Sequence, residues 1–273
     1  MNLKLPANNT DVPAAYVGAW RKETADTRSL WLQTTRLHAM VDIPADRPDF
    51  SARQGFAELS DEELMVLAHQ GGVAGACIAA SDVLHRRRQV DYLPQRGQPF
   101  LRRLRVEEGG LREFCLDGRE TGRWERLAGA EGGVLALRFH DVEVGVAGGD
   151  ECRGYLLRVG PYFAYVRDRY GTTQRAESLA LLAELKGFTR EQLIAVLDFD
   201  LSFGRRDEAG RWIIELSTLP WREGRTFLDD AQVARILALA NCGPEKIQRG
   251  GRLFLRYWKL DECANPRGGG ADG

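Results

Sequence analysis

The amino-acid sequence predicts a mainly β protein made of two antiparallel β-barrels that arose by internal duplication, each with one short α-helix. Three observations predict this fold class: a helix-start signal that occurs twice, β-rich runs at matching places around it, and a tryptophan-containing strand at the end of each half. The first barrel is expected over residues 12–127 and the second over residues 132–261. Closure into barrels is expected because an open sheet of many strands would leave unpaired edges.

The repeated helix start is a capping box. In "LSDEEL", Ser60 is the expected N-cap and Glu63 follows three residues later; in "FTREQL", Thr189 and Gln192 have the same spacing. Apolar residues flank each box and form a hydrophobic staple. One short helix is therefore predicted to begin at each site.

The strands around these helices also match. The upstream runs "SLWLQTTRLHAMVDIP" and "GYLLRVGPYFAYVRDR" share Ala-x-Val near their ends, and the downstream runs "HRRRQVDYLP" and "RWIIELSTLP" both close on Leu-Pro. Each half then ends on a tryptophan strand, around Trp124 and Trp258. The second half contains an extra segment, "DDAQVARILALA", whose acidic cap and apolar spacing predict an added amphipathic helix near residues 229–240.

The first strand resembles the start of the lipocalins and the wider calycin group. "VGAW" places Gly18 and Trp20 in the Gly-x-Trp pattern of that group, whose tryptophan closes the barrel floor beneath a basic residue of the last strand. Arg123 or Arg126 is the expected basic residue, whereas the second half reads "LALRF" and lacks the pattern. With "WLQT", "DIPADRP" and the closing Trp-Glu-Arg, the whole chain resembles uncharacterised tandem lipocalin-like proteins. That resemblance implies two barrels and a cavity, and it implies no catalytic residues.

The composition narrows the possible functions. The formal net charge is −1 and basic residues are spread along the 273-residue chain, so no global field favours nucleic acid or anionic lipid. No apolar signal core and no run of about 20 apolar residues occurs, which predicts a cytoplasmic protein without membrane association. The five cysteines are odd in number and widely spaced, which favours reduced thiols, and no cofactor or metal is expected. The glycine-rich end, residues 264–273, is expected to be disordered.

The candidate site is the arginine run in "SDVLHRRRQVDYLP". Aligning the two halves on Leu-Pro places Arg86 and Arg88 opposite Trp212 and Ile214, which form an apolar stripe with Leu216. Because strand side chains alternate between faces, both arginines are expected to point into the first barrel. A buried guanidinium needs a carboxylate, water or an anionic ligand to neutralise it. The first barrel is therefore the candidate ligand cavity, and the second is expected to be filled and structural.

Two alternatives to this assignment stay open. A one-residue slip in the alignment would turn Arg87 inward instead, and salt bridges between the two barrels would also account for the arginines. On "TTRLHAMVD", His38 shares a strand face with Asp42, and this face is either solvated or lines the cavity, where the pair would do acid–base chemistry. The candidate ligand-binding residues are Arg86, Arg88, Tyr92 and Arg36, and the candidate catalytic residues are His38, Tyr92 and Asp91.

Three functions fit these residues. The favoured one is binding of a small apolar or aromatic molecule with an anionic group, because a planar guanidinium pairs with a carboxylate through two hydrogen bonds. The first alternative is a cofactor-independent lyase, isomerase or decarboxylase in which the arginines stabilise developing negative charge and His38, Tyr92 or Asp91 moves a proton. The second alternative is a protein-interaction module. Nucleic-acid binding ranks last because the short basic cluster has no aromatic stacking platform beside it, and the oligomeric state is left open.

Overall fold

Two antiparallel sheets form the frame of the protein. The computed structural model describes residues 11–80, 82–93, 99–147, 149, 151–170, 176 and 178–264. Apart from residue 264, the C-terminal segment predicted to be disordered lies outside the described residues, and so does Ser81 at the start of the arginine run.

The first sheet is a closed eight-stranded barrel with one extra short strand. Its strands are β1 (Gly18–Glu23), β2 (Thr27–Gln33), β3 (Leu37–Pro44), β4 (Gly71–Ala80), β5 (Val83–Arg87), β6 (Val90–Asp91), β7 (Pro99–Glu107), β8 (Gly110–Phe114) and β9 (Glu120–Arg126). All except β6 follow one another in an up-and-down meander, and β9 pairs back onto β1. The two-residue strand β6 pairs with β4.

The second sheet follows the same course but stays open at one seam. Its strands are β10 (Val134–Glu143), β11 (Glu151–Val159), β12 (Tyr162–Arg167), β13 (Asp200–Arg206), β14 (Arg211–Ser217), β15 (Thr226–Asp229), β16 (Glu245–Arg249) and β17 (Arg252–Ala264). The last strand, β17, pairs with the first, β10. Within the described residues β15 and β16 do not pair, so this sheet is a curled half-barrel. The predicted two-barrel, mainly β fold class is confirmed, with the second barrel incompletely closed.

Four α-helices accompany the sheets in the described part of the chain: α1 (Asp61–Leu67), α2 (Leu179–Lys186), α3 (Arg190–Leu197) and α4 (Asp230–Cys242). Both predicted capping boxes are present, because Ser60 and Thr189 each accept a hydrogen bond from the backbone N–H three residues later. The added helix α4 begins as predicted, with Asp229 as its N-cap. The sequence analysis did not anticipate α2.

The two sheets repeat each other strand for strand. In both, the first strand pairs with the last, and helices connect the third strand to the fourth. The fourth strands also share a bulge: a Cβ on Gly75 would lie 2.1 Å from the carbonyl oxygen of Arg87, and a Cβ on Gly204 would lie 2.1 Å from that of Ile213. This places Arg87 opposite Ile213, the alignment that the shared Leu-Pro predicts.

The two sheets pack against each other through the outward-facing side chains of their first strands. Ala39 and Val41 of β3 and Ala164 and Val166 of β12 belong to one buried cluster, which also takes leucines from α1, α2 and α3. The Ala-x-Val pairs noted in the sequence therefore lie at the contact between the two halves. Apolar burial of this kind is the main stabilising contribution between packed layers.

A hydrogen-bonded latch joins the last strand to the first barrel. The carboxylate of Glu262, on β17, accepts hydrogen bonds from the Thr34 hydroxyl at 2.7 Å, the Thr35 backbone N–H at 3.0 Å and the Arg36 backbone N–H at 3.1 Å. The Thr35 hydroxyl is a further donor. The turn between β2 and β3 thus satisfies its polar groups with a side chain from the far end of the chain.

Tryptophans fill one end of the first barrel. The ring centroids of Trp20 and Trp31 lie 5.8 Å apart, and those of Trp31 and Trp124 lie 5.4 Å apart. The Arg126 guanidinium lies 4.4 Å above the Trp20 ring and donates to the carbonyl oxygens of residues 15 and 17. Of the two basic residues expected over this tryptophan, Arg126 holds the position. In the second sheet, Trp212 is buried with apolar side chains of α4, so its interior is filled.

Candidate anion site in the first barrel

A polar cluster lies next to the tryptophans inside the first barrel. Arg86 of β5 is only 1% exposed, and its Nη1 donates to Glu113 Oε1 at 2.9 Å. Lys22 Nζ lies 3.6 Å from Glu113 Oε2 and 4.5 Å from the centroid of Trp124. The Arg86 guanidinium carbon lies 4.2 Å from the centroid of Trp31. These five residues, Lys22, Trp31, Arg86, Glu113 and Trp124, are called the barrel cluster below.

Strand alternation explains why these side chains meet. Arg86 is paired with Cys77 on β4 and with Phe100 on β7, and Cys77 belongs to the buried interior cluster of the barrel. Lys22 follows Trp20 by two residues on β1, so it shares the inward face. Gly122, on β9, leaves room for it, because a Cβ there would lie 2.7 Å from Lys22 Cδ.

Several buried donors of the barrel cluster have no acceptor. Within the described residues, Arg86 Nε and Nη2 form no hydrogen bond, and neither does the indole Nε1 of Trp31 or of Trp124. Buried N–H groups are normally paired, and an unpaired one costs about 1–3 kcal/mol. The cluster therefore has the donors that a group with several acceptor oxygens would satisfy.

Positive charge exceeds negative charge around the cluster. Although burial acts to raise it, the nearby Arg86 and Lys22 hold the pKa of Glu113 below its usual value, so this carboxylate is ionised. Arg102 lies beside it and stacks 3.9 Å from the centroid of Phe100. Asp42 accepts a hydrogen bond from Ser29 at 2.6 Å, but burial raises the pKa of its carboxyl. Three cations, Arg86, Lys22 and Arg102, thus lie near two carboxyl groups, Glu113 and Asp42.

His38 lies on the inner face of β3, fully buried. Its Nε2 is 3.3 Å from the carbonyl oxygen of Arg87. Burial, together with the charge of Arg86, lowers its pKa to about 3, so the imidazole is neutral at physiological pH. The face that His38 shares with Asp42 therefore lines the barrel interior and is not a solvated surface.

Arg88 and Asp91 form an ion pair next to the cluster. Arg88 Nε lies 2.8 Å from Asp91 Oδ2, and the guanidinium carbons of Arg88 and Arg86 lie 5.9 and 5.7 Å from the centroid of Phe100. Burial raises the pKa of Asp91 to about 6 against the opposing effect of Arg88. The structure thus brings Arg86, Arg88, His38 and Asp91 to one region of the first barrel, and it leaves Arg87 exposed.

Tyr92 does not belong to this region. Its ring is buried in the core between the two sheets, 5.4 Å from Phe199, and its hydroxyl donates to the Leu67 carbonyl oxygen at 2.7 Å. The alternation that points Arg86 inward stops where β5 ends, because β6 re-enters the sheet against a different part of β4. Leu216 lies on the outward side of its strand for the same reason, apart from Trp212.

Arg36 also lies elsewhere. It is exposed at the turn before β3, where its Nη2 donates to the Asp261 carbonyl oxygen at 2.8 Å. Its side chain therefore belongs to the contact between the two halves. Sequence reasoning missed Lys22 and Glu113, although alternation places each of them two residues from a buried apolar side chain, Trp20 and Leu111, on the same strand face.

A cleft outside the barrel adjoins the cluster. It has a volume of about 520 Å³ and is lined by Lys22, Trp124 and the charged residues around them on β1 and β9. Within the described residues, β1 and β9 pair at two positions, Trp20 with Arg126 and Arg21 with Glu125. Lys22 thus borders the outer cleft while its amine contacts Glu113 inside the barrel.

No protein-family model matches the chain, and no curated protein matches it. An uncharacterized protein from Saccharomyces cerevisiae has a similar solved structure, with 9% sequence identity and a TM-score of 0.46 over 91% of this chain and 100% of that chain. Within the described residues, no group of three or more side chains is arranged to hold a metal ion. No helix in the same residues is long and apolar enough to cross a membrane.

Proposed function

We propose that this is a cytosolic binding protein whose first barrel holds a small organic anion, with a carboxylate on an aromatic or apolar body. The observation that carries the proposal is the free edge of Arg86. Nη1 donates to Glu113, whereas Nε and Nη2, which form one side of the guanidinium, have no acceptor in the part of the chain that the structure describes. That side is the one that pairs with both oxygens of a carboxylate in the bidentate geometry.

The surroundings of Arg86 suit an aromatic body. The Arg86 guanidinium lies near the rings of Trp31 and Phe100, and the indole N–H groups of Trp31 and Trp124, without acceptors among the described residues, are further donors within the barrel cluster. Binding an anion would balance the excess of positive charge and satisfy these donors together. The arrangement of Gly18, Trp20 and Arg126 supports a lipocalin-like relationship, in which a barrel interior serves as a ligand site.

The test is a titration with simple aromatic carboxylates, benzoate and indole-3-carboxylate, followed by tryptophan fluorescence. Arg86→Lys keeps the charge and removes the two-donor edge, and Arg87→Lys makes the same change at the exposed neighbour. We expect Arg86→Lys to weaken binding about ten- to a hundredfold, the cost of losing one charge-assisted contact, and Arg87→Lys to bind like the wild type. Equal affinities in the two variants would refute the proposed site.

Asp91 supports a second candidate, acid–base catalysis on the bound anion. A carboxyl with a pKa of about 6, next to Arg88 and close to Arg86, can exchange a proton near neutral pH. The two functions differ in turnover. An enzyme would convert the ligand, and Asp91→Asn would abolish conversion while preserving affinity. A binding protein would return the ligand unchanged, as judged by NMR of the mixture after long incubation.

A further inference from the structure

The outer face of the second sheet has a patch of cations and tyrosines. On β17, β10 and β11, two neighbouring rows of paired residues point to the same side of the sheet. We call this patch the outer face. Its first row consists of Lys259, Arg138 and Tyr155, and its second row consists of Tyr257, His140 and Arg153. The patch lines a cleft of about 340 Å³ that Gln89 of the first barrel closes on one side.

The outer face has more positive than negative charge. Arg138 Nη2 donates to Asp261 Oδ1 at 2.8 Å, and His140 Nε2 lies 3.2 Å from Glu151 Oε2. Lys259 and Arg153 are exposed and have no ion-pair partner among the residues that the structure describes. With His140 neutral, as in the formal charge count at pH 7, the three cations Arg138, Arg153 and Lys259 outnumber the carboxylates of Asp261 and Glu151 by one, which gives the cleft a local charge of about +1.

The tyrosines supply a fixed wall and an exposed ring. Tyr155 is buried, and its hydroxyl donates to Gln89 Oε1 at 3.2 Å, which ties the cleft to the first barrel. Tyr257 is 46% exposed, so much of its ring is open to solvent. Exposed tyrosine rings between cations are typical platforms for stacking an aromatic ligand.

We propose that the outer face binds a nucleoside monophosphate, with the phosphate between Arg153 and Lys259 and the base on Tyr257. A phosphate monoester has a charge of about −1.5 to −2 at pH 7, opposite in sign to the net charge of the cleft. Gln89 lines one side of the cleft, and the carboxylates of Asp261 and Glu151 lie against its lining residues Arg138 and His140, where they would repel further phosphates, so a single nucleotide suits it better than a continuous strand. No residue is shared with the barrel cluster, so the two proposals are independent.

The experiment is isothermal titration of the full-length protein with AMP and UMP, with adenosine and inorganic phosphate as the two halves of the ligand. Lys259→Gln and Arg153→Gln should each weaken nucleotide binding at least tenfold. Tyr257→Ala should weaken binding of AMP but leave that of inorganic phosphate unchanged. Arg235→Gln, which removes an exposed cation on α4, is the matched control and should have no effect.

Three results would overturn the proposal. These are no binding of nucleotides at millimolar concentration, nucleotide binding that is unaffected by both cation variants, and equal loss of AMP and phosphate binding in Tyr257→Ala. Much tighter binding of a single-stranded oligonucleotide than of AMP would replace it with a nucleic-acid surface. Arg86 lies outside the outer face. A loss of aromatic carboxylate binding in the Arg86→Lys variant would therefore leave nucleotide binding unchanged.

Discussion

Arg86 and Glu113 depend on each other inside the first barrel. Arg86→Met leaves the buried Glu113 carboxylate with Lys22 at 3.6 Å and the Thr121 hydroxyl at 3.3 Å but without its closest ion-pair partner, and removing one partner of a buried ion pair costs about 3–5 kcal/mol. The double variant Arg86→Met, Glu113→Met removes both fully buried charges and leaves only the partly exposed Lys22 without its partner, so we expect it to be more stable than Arg86→Met alone. Urea unfolding gives both values. If the double variant were less stable than both single variants, the attraction between Arg86 and Glu113 would itself stabilise the fold. The loss of stability would then not come from an unpaired buried charge alone.

His38 and Asp91 should give opposite pH dependences of stability. The pKa of His38 falls from 6.5 to about 3 on folding, so its contribution is lost as pH falls below 6.5. The pKa of Asp91 rises from 3.8 to about 6, so its contribution is largest at low pH and is lost as pH rises towards 6. Each slope reaches at most about 1.4 kcal/mol per pH unit, and between pH 4.5 and 5.5 the two nearly cancel.

Single substitutions separate the two groups. In the Asp91→Asn variant, the free energy of unfolding should increase with pH between 4.5 and 5.5 more steeply than in the wild type. In the His38→Gln variant, the free energy of unfolding should decrease with pH over the same range. Urea unfolding at three pH values between 4.5 and 5.5 measures both slopes. Parallel curves for the wild type and both variants would mean that neither group changes its proton affinity on folding.

At the scale of strands, the bulge that both fourth strands share fixes the pairing register of the arginine run in the first barrel. Gly75→Ala and Gly204→Ala should each destabilise the protein by several kcal/mol, because the new methyl group would lie 2.1 Å from a backbone carbonyl oxygen. Gly55→Ala is the control, since nothing lies within 4 Å of a Cβ at that position. Thermal unfolding compares the three variants. A difference in effect between Gly75 and Gly204 would show that the two bulges are not equivalent.

Local patterns in the sequence predicted the helix starts and the inward face of the arginine run, but the prediction failed beyond the bulge. Capping boxes are local hydrogen-bond patterns, so the starts of α1, α3 and α4 could be read directly. Strand alternation placed Arg86 correctly but failed at Tyr92, because the chain leaves the ladder after Arg87 and the period of two is interrupted. The ion-pair partner Glu113 was not predicted, since it comes from a strand 27 residues away and no local pattern connects the two.

At the scale of the whole molecule, the two halves share a core. Outward apolar residues of β1 to β3 contact those of β10 to β13, so either half alone would expose this face to water. We expect one cooperative unfolding transition for the full chain, with tryptophan fluorescence and far-UV circular dichroism giving the same midpoint. Two separate transitions would mean that residues 12–127 and 132–261 are independent domains, a division that stays a prediction.

The Glu262 latch also bears on the order in which the protein is made. A ribosome completes β1 to β9 long before it reaches residue 262, so the nascent first barrel must wait for the acceptor that its β2–β3 turn requires. During that interval the turn donors bind water, and the barrel face that later meets β10 to β13 is uncovered. Synthesis therefore passes through a stage in which the first half is fully translated but its final contacts belong to a strand not yet made.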